Sequence, residues 1–271
     1  QRIRFGCNPY VRSRQTTQLM KKFGLIGHPV THSLSPALFK AGYDGRYPYE
    51  LIETADFDEA YSRFLAEYDG INVTAPFKEM ALQKADIISD ECRVTGATNL
   101  LITTPEGVKA FNSDYRGILL WLSSAVEGAD VLIVGYGGAG KAAAAAARAL
   151  EMNVTVLNRS CREAWIRPLS DFREEFRKAD IVIYNLPVRI RELDLLTEED
   201  CTPGRAKVIL EANYRDPAFD GDMIEKLTGW NPLIAYEEGH TWLLMQAVTG
   251  YGLFTGEEPD FNRMQSVIKS K

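Results

Sequence analysis

Residues 131–142 read VLIVGYGGAGKA, and this stretch decides the fold of the 271-residue chain. Its first four residues are apolar and predict a buried parallel strand, which is followed at once by glycines. Residues 141–150 are rich in alanine and predict a helix, and residues 152–157 predict a second strand. A strand, a glycine turn, a helix and a strand within about 30 residues form the context in which a glycine motif indicates a dinucleotide site.

The glycine spacing is a variant of the GxGxxG pattern, with glycines at positions 135, 137, 138 and 140. Glycine lets the chain turn tightly and lets the backbone approach a ligand. Free amides at the helix start would receive a pyrophosphate, with help from the helix dipole. The alternative is a tight turn whose glycines serve packing only.

The end of the second strand indicates which cofactor binds. An NAD site places a carboxylate there for the ribose 2′-hydroxyl, whereas this chain has Asn158, Arg159 and Ser160. Arg159 carries a permanent, forked charge suited to a 2′-phosphate, so the sequence favours NADP. The alternative is that Arg159 is a solvated charge at a strand end.

Composition excludes several classes of protein. The net charge of −6 gives no reason to expect nucleic acid or an anionic membrane as a partner. No apolar run approaches the roughly 20 residues that span a bilayer. The four cysteines and three histidines are too scattered to predict a disulfide framework or a metal site. We therefore expect a cytoplasmic protein without metal.

Residues 1–19 are polar and arginine-rich, and they precede Met20. We expect Met20 to be the natural start and the preceding segment to be an upstream extension or an added sequence. The alternative is a genuine ordered arm.

The first strand is predicted at residues 23–26, followed by the loop GHPVTHSLSP at residues 27–36. Ser35 is suited to the N-cap of a helix and Pro36 to its first turn. Ser33 is suited to turn chemistry. The two hydroxyls follow the carboxyl end of a strand, where they could instead bind an anionic group.

A second strand-to-helix junction lies at residues 70–78, GINVTAPFK, where Pro76 is predicted to begin a helix. Asn72, Thr74 and Lys78 surround this junction, and open α/β sheets carry ligand sites at such places. Lys78, if partly desolvated, could exchange a proton with a substrate hydroxyl, although a lone lysine at such a place is more often a surface residue. Residues 85–91 are predicted to end a helix.

Further along, Asp114 falls near the N-terminus of a predicted helix, where a carboxylate is favourable for the dipole alone. The alternation of strands and helices from residue 129 to 236 predicts a doubly wound parallel domain. A helix is then predicted over residues 241–251. Periodicity leaves open whether its Gln246 is buried, exposed or ligand-binding.

The chain resembles the shikimate dehydrogenase family from residue 22 to its end. Seven motifs occur in the family's order: residues 27–36, the stretch NVTAPFK at 72–78, GATN at 96–99, NSD at 112–114, the glycine turn, NRS at 158–160, and Gln246-Ala247. Each is modestly specific, and their order together is very specific.

This resemblance implies an α/β fold of two domains. An N-terminal α/β substrate domain would comprise residues 20–117 plus 241–271, with a C-terminal helix returning to it. A doubly wound parallel-sheet (Rossmann) NADP domain would comprise residues 118–240. The implied reaction is the reversible reduction of 3-dehydroshikimate to shikimate by NADPH, in aromatic amino-acid biosynthesis, without metal or flavin.

The resemblance also implies roles for individual residues. Lys78 and Asp114 match the family's catalytic pair, with Lys78 as proton donor and acceptor and Asp114 orienting it. Residues matching substrate contacts are Ser33, Ser35, Thr74, Asn99, Tyr214 and Gln246. Residues matching cofactor contacts are Gly135, Gly137, Gly138, Ala139, Asn158, Arg159, Ser160 and Gly239. Serine at both 33 and 35 favours shikimate over quinate.

Some positions depart from the family pattern. Ser113 replaces threonine, and Leu100 follows Asn99 where threonine is usual. On the cofactor side, YNLPVR at residues 184–189 replaces a small-polar loop, and Glu211 stands where aspartate is common. The alternatives are therefore a paralogue acting on quinate or another cyclic polyol acid, and a non-catalytic NADP-binding regulator. The sequence allows a monomer or a homodimer.

Overall fold

The structure, a computed structural model, describes residues 20–270, so the predicted extension at residues 1–19 lies outside the described residues. The strands are β1 Phe23–Gly27, β2 Tyr49–Glu53, β3 Gly70–Val73, β4 Ile87–Ile88, β5 Leu100–Thr104, β6 Gly107–Phe111, β7 Asp130–Val134, β8 Asn153–Asn158, β9 Ile166–Pro168, β10 Ile181–Tyr184, β11 Lys207–Glu211 and β12 Ile234–Glu237. The helices are α1 Ser35–Gly42, α2 Phe57–Glu67, α3 Lys78–Gln83, α4 Asp90–Thr95, α5 Ser113–Leu122, α6 Gly138–Ala149, α7 Phe172–Lys178, α8 Arg191–Asp194, α9 Gly221–Trp230, α10 Gly239–Thr255 and α11 Phe261–Lys269.

The first six strands form a mixed sheet with the order β2-β1-β3-β5-β6-β4. Strands β2, β1 and β3 are parallel, whereas β5 runs antiparallel to both β3 and β6. Neighbouring residues enter different apolar clusters: Leu100 packs with Phe23 and Phe39, and Leu101 packs with Ile26 and Phe64. Because successive side chains of a strand point to opposite faces, this sheet is covered on both faces.

The last six strands form a wholly parallel sheet with the order β12-β11-β10-β7-β8-β9. This is the doubly wound arrangement that the alternation of strands and helices over residues 129–236 predicts, and β7 is its central switch strand. Residues 131–134 are all buried, with Leu132 and Val134 in one cluster and Val131 and Ile133 in the other. The alanines of α6 let that helix pack closely on the second of these faces.

Helices α5 and α10 join the two sheets. α10 is apolar on nearly every side, as expected for a helix that is buried all round. Its Trp242 packs in the core of the parallel sheet, whereas its Ala247 and Tyr251 pack in the core of the mixed sheet. The predicted boundaries at 117/118 and 240/241 consequently fall inside α5 and α10. The two-domain α/β fold is confirmed, whereas the residue bounds of the two domains stay a prediction.

Three local predictions differ from the structure. Ser35 is the first residue of α1 and Leu34 is the N-cap, because the Ser33 hydroxyl accepts the Ser35 amide at 3.2 Å in a turn of its own. α3 begins at Lys78, two residues after Pro76. Residues 85–91 do not end a helix: β4 pairs there with β6, and α4 starts at Asp90. Tertiary pairing overrides local propensity in that segment.

The glycine turn gives a stability prediction. A Cβ on Gly140 would lie 1.9 Å from the Gly135 carbonyl oxygen, which is backbone and cannot swing away. We expect Gly140→Ala to lower the free energy of unfolding by about 1–3 kcal/mol through overpacking.

Chemical denaturation would measure this loss. The matched control is Gly229→Ala in α9, where a Cβ meets nothing within 4 Å, and which should be neutral or stabilising by up to about 1 kcal/mol. Equal stability of the two variants would contradict the assigned contact.

Candidate active site

The main cleft lies where the carboxyl ends of strands from both sheets face each other, and its volume is about 410 Å³. Loops that follow β1, β3, β11 and β12 supply its walls, as do the first turns of α5 and α6. The predicted site residues among its lining are Ser33, Ser35, Thr74, Lys78, Asn99, Asp114, Ala139, Tyr214, Gly239 and Gln246. The tertiary structure thus brings together residues that lie more than 200 positions apart in the sequence.

Lys78 and Asp114 form an ion pair in this cleft. The distance from Lys78 Nζ to Asp114 Oδ2 is 2.5 Å, and the two side chains are 23% and 18% exposed. Lys78 begins α3 and Asp114 lies in the first turn of α5, so the end of β3 and the end of β6 position the pair. Partial burial keeps bulk water from screening the pair while leaving both side chains accessible to a ligand.

The two serine hydroxyls lie side by side on another wall. Ser33 Oγ donates to Ser35 Oγ at 3.1 Å, and both line the cleft at the start of α1. The loop that carries them is fixed by Glu53, whose carboxylate accepts the backbone amides of Val30 and Thr31 at 3.1 and 3.0 Å. The turn that sequence analysis expected at Ser33 therefore exists, and it also presents the hydroxyls to the cleft.

Amide and hydroxyl side chains form a continuous network along the cleft floor. Tyr49 donates to Asn72 Oδ1 at 2.7 Å, and Asn72 Nδ2 donates to the Asn99 carbonyl at 3.1 Å. Asn99 Nδ2 donates to Ser113 Oγ at 3.0 Å, and Ser113 Oγ donates to Gln246 Oε1 at 3.0 Å. Buried polar groups that are satisfied in this way hold one orientation. Gln246 is thus neither an isolated core residue nor a solvated one.

The glycine turn adjoins the Lys78 side chain. A Cβ on Gly138 would lie 3.8 Å from Lys78 Cδ, and no atom of the described residues that could contact a Cβ on Gly137 lies within 4 Å of it. α6 begins here without an acidic residue in its first turn and without a side-chain cap. Its first amides consequently remain available for an anionic group, which the helix dipole favours.

The polar residues at the end of β8 lie beside the glycine turn. Asn158 Oδ1 accepts the Tyr136 amide at 3.3 Å, and Asn158 Nδ2 donates to the Ser160 carbonyl at 3.1 Å. Arg159 and Ser160 are exposed and do not line the cleft. This position suits the far end of an extended ligand whose phosphates lie on the first turn of α6.

Residue 239 is glycine because of close packing. A Cβ there would lie 2.7 Å from the Ala212 carbonyl oxygen and 2.8 Å from that of Glu211.

The loop at residues 184–189 packs on the glycine turn at residues 135–140. Its Leu186 contacts Gly135, which has φ +94°. The unusual loop at residues 184–189 therefore covers the first glycine of the turn.

Glu211 anchors the loop that carries Tyr214. It is fully buried, and its carboxylate accepts the amides of Ala218 at 2.5 Å and Phe219 at 3.2 Å, and the Tyr236 hydroxyl at 2.9 Å. Burial raises the pKa of the Glu211 carboxyl, and the three hydrogen bonds oppose that rise. Glutamate at this position is thus a structural anchor of residues 212–219.

The sequence gives little signal for three further residues that line the cleft or lie beneath it. Trp242 donates from Nε1 to the Asp114 carbonyl at 3.1 Å and so holds the first turn of α5. Ser113 ties Asn99 to Gln246, and Arg215 lies at the tip of the loop after β11. Ser113 was noted in the sequence only as a member of the NSD motif at residues 112–114, and the signal for Arg215 was its position next to Tyr214.

The described residues offer neither a membrane-spanning helix nor a cluster of metal ligands. Within residues 20–270, no helix is long and apolar enough to cross a membrane. No group of three or more histidine, cysteine, aspartate or glutamate side chains in that range is arranged to hold a metal ion.

Two models of known protein families match successive segments of the chain. The family model of the shikimate dehydrogenase substrate binding domain matches residues 25–101. The model of the D-isomer specific 2-hydroxyacid dehydrogenase NAD binding domain matches residues 109–210.

Individual relatives extend over nearly the whole chain. The NADP(+) shikimate dehydrogenase of Acidiphilium cryptum is 37% identical, with 87% of this chain and 91% of that protein covered. The crystal structure of Thermus thermophilus shikimate 5-dehydrogenase in complex with NADP(H) and shikimate is 26% identical, with a TM-score of 0.77 and coverage of 93% and 99%. Quinate dehydrogenase from Corynebacterium glutamicum, in complex with NAD, shares the fold at 20% identity and a TM-score of 0.78, covering 93% and 99%.

The anchoring role of Glu211 can be tested by hydrogen exchange. Glutamine at 211 keeps one acceptor oxygen but turns an NH₂ group toward the other backbone donor. Because an unsatisfied buried donor costs about 1–3 kcal/mol, we expect Glu211→Gln to speed exchange of the Ala218 and Phe219 amides about tenfold or more.

Mass spectrometry or NMR of exchanging amides would report this change. Glu237→Gln is the matched control. Among the described residues, the Glu237 carboxylate accepts a hydrogen bond only from the Thr241 hydroxyl, at 3.0 Å. Unchanged protection of residues 218 and 219 in Glu211→Gln would mean that another contact fixes the loop.

Proposed function

The chain belongs to the shikimate dehydrogenase family, and from that premise we propose that it catalyses the reversible, NADP-dependent reduction of 3-dehydroshikimate to shikimate. The observation that carries this proposal is the Lys78–Asp114 pair, 2.5 Å apart, in a cleft that also adjoins the glycine turn. A proton-transfer group and a dinucleotide-binding turn within one cleft are what a carbinol–carbonyl interconversion requires.

Lys78 is the group that moves the proton. In the direction of reduction, its ammonium donates a proton to the carbonyl oxygen as that carbon receives a hydride. In the direction of oxidation, Lys78 accepts the proton of the hydroxyl. Asp114 orients the amine through the 2.5 Å contact and balances its charge. Trp242, bonded to the Asp114 carbonyl, keeps the first turn of α5 in place.

The polar walls of the cleft hold the substrate. Ser33 and Ser35 bind its carboxylate, while Thr74, Asn99 and Gln246 contact the ring hydroxyls and Tyr214 closes the opposite side. The Asn99–Ser113–Gln246 network supports this assignment, because side chains fixed before binding lose little entropy when a ligand arrives.

NADP fits the other part of the site. Its pyrophosphate would lie on the amides of Gly137, Gly138 and Ala139, with Gly135 allowing the turn. Its 2′-phosphate would lie on Arg159 and Ser160, with Asn158 fixing their turn, and its nicotinamide near Gly239. NADP supplies or accepts the hydride when bound. The open space at Gly137 and the uncapped start of α6 support this placement.

Quinate oxidation is the nearest alternative, since one protein of the same fold is a quinate dehydrogenase. Serine at both 33 and 35 supports shikimate. A non-catalytic NADP-binding regulator is the alternative from another class, and the intact Lys78–Asp114 pair speaks against it. Steady-state rates with shikimate and with quinate, each with NADP and with NAD, distinguish the three functions.

We further propose that the enzyme works in the cytoplasm as a monomer or homodimer. Cys92, Cys161 and Cys201 carry free thiols in the described part of the chain, which supports a reducing compartment. Sedimentation velocity at several concentrations measures the oligomeric state.

The role of Lys78 gives the first kinetic prediction. We expect Lys78→Ala to lower kcat for shikimate oxidation by a factor of about 100 or more, because removal of a general acid/base typically costs that much. The rate is measured by the absorbance of the NADPH formed.

Lys84→Ala is the matched control. Lys84 caps the same helix and pairs with Asp58 at 2.8 Å on the surface, so its removal should leave kcat unchanged. A wild-type protein that reduces NADP with quinate but not with shikimate would refute the proposed substrate. Equal rates for Lys78→Ala and wild type would refute the proposed proton carrier.

Arg159 gives the prediction for the cofactor. We expect Arg159→Ala to raise KM for NADP about 10- to 100-fold, the size of a lost charge-assisted hydrogen bond to phosphate, and to leave KM for NAD unchanged. The selectivity ratio of kcat/KM between the two cofactors is the readout. A parallel loss with both cofactors would show that Arg159 does not contact the 2′-phosphate.

A further inference from the structure

Among the described residues that line the cleft, one positively charged side chain is not paired with an opposite charge. Its charged lining side chains, among the described residues, are Lys78, Asp114 and Arg215. Lys78 and Asp114 neutralise each other at 2.5 Å. Arg215 forms no ion pair in the described part of the chain, and its guanidinium group lies over the Tyr214 ring. The net charge that an anionic ligand meets in the cleft is therefore that of Arg215.

The backbone of Arg215 is held at the tip of an ordered turn. Asn213 Oδ1 accepts the amides of Arg215 at 3.2 Å and Asp216 at 3.4 Å, and Asn213 Nδ2 donates to the Asp216 carbonyl at 2.5 Å. An asparagine that bonds its own following backbone in this way fixes a turn. Since Glu211 also anchors the far end of the loop, the chain presents residue 215 to the cleft in a defined place.

The Arg215 side chain lies beside an aromatic ring and has no polar side-chain partner within residues 20–270. Its guanidinium carbon lies 5.9 Å from the Tyr214 ring centroid, and the Tyr214 ring packs at a tilt of 35° against the His240 ring, with the centroids 4.8 Å apart. The residue is exposed at the cleft mouth. An arginine that rests on an aromatic ring keeps its fork of N–H donors available to a carboxylate.

Another wall of the same cleft offers neutral donors for an anion. Ser33 and Ser35 present hydroxyls there, and α1 begins without an acidic residue in its first turn. These groups supply hydrogen bonds and a helix dipole but no full positive charge. Among the described residues of the mixed-sheet half, the one cationic side chain that lines the cleft is Lys78, and Asp114 already pairs with it at 2.5 Å.

We propose that Arg215 is the cationic partner of the substrate carboxylate, acting across the cleft from Ser33 and Ser35. The parallel-sheet half thereby contributes to the recognition of the acid, and Arg215 determines the preference for a carboxylate over a neutral group. This inference rests on the proposed function, since it takes shikimate as the ligand. A bidentate guanidinium–carboxylate contact is among the stronger charge-assisted hydrogen bonds.

The test compares shikimate with its methyl ester, which has no negative charge. Both are titrated calorimetrically into protein saturated with NADPH, where shikimate binds without turnover. We expect Arg215→Gln to weaken shikimate binding about 10- to 100-fold and to leave methyl ester binding unchanged. Arg215→Lys, which keeps the charge without the fork, should restore part of the affinity.

Lys226→Gln is the matched control, because it removes one exposed charge from α9 of the same half, where the amine rests on Trp230. It should change neither affinity. An equal loss of both ligands in Arg215→Gln would mean that Arg215 only shapes the cleft, and a loss of NADPH affinity instead would place it on the cofactor; either result overturns the proposal.

The same experiment separates this inference from the proposed function. A wild-type protein that oxidises shikimate but binds it as tightly as Arg215→Gln does would overturn the Arg215 role alone. A wild-type protein that binds shikimate through Arg215 without oxidising it would support the Arg215 role and overturn the oxidoreductase proposal.

Discussion

The close approach of α5 and α10 is the contact on which the site depends. A Cβ on Gly117 would lie 2.5 Å from the Gln246 backbone nitrogen, and a Cβ on Gly250 would lie 3.0 Å from Ser113 Oγ. The two glycines therefore let the helix backbones come near enough for Ser113 to bond Gln246 at 3.0 Å. One helix carries Asp114 and the other carries Gln246, so this packing sets the relative position of both.

Electrostatics and packing have separate roles around this helix pair. The Lys78–Asp114 ion pair brings two opposite charges into the cleft without adding net charge. The polar network from Tyr49 to Gln246 fixes neutral donors and acceptors before any ligand arrives. Such preorganisation lowers the entropy cost of binding and of reaching the reactive geometry. The apolar clusters beneath both sheets hold this arrangement.

Most of the fold was predictable where a pattern is local. The strand, glycine turn and alanine-rich helix at residues 131–149 were predicted because burial and tight turning constrain composition directly. Residues 85–91 were predicted wrongly, since β4 exists only through its pairing with β6. The prediction of Ser35 as the N-cap of α1 was also wrong, because the Ser33 hydroxyl accepts the Ser35 amide in a turn of its own. The pairing partner of β4 is distant in sequence and so leaves no local signature, whereas the competing bond at Ser35 is local.

By itself the sequence determined the family, the doubly wound sheet and the residue types available for proton transfer and phosphate binding. Motif order and strand periodicity are properties of the linear chain, so they can be read without the tertiary structure. Only the tertiary structure decided which residues meet. It joined Lys78 to Asp114, bound Trp242 to the Asp114 carbonyl, and brought Arg215 into the cleft that Ser33 and Ser35 line. The physical reason is that helix packing and strand pairing fix these distances between segments far apart in the chain.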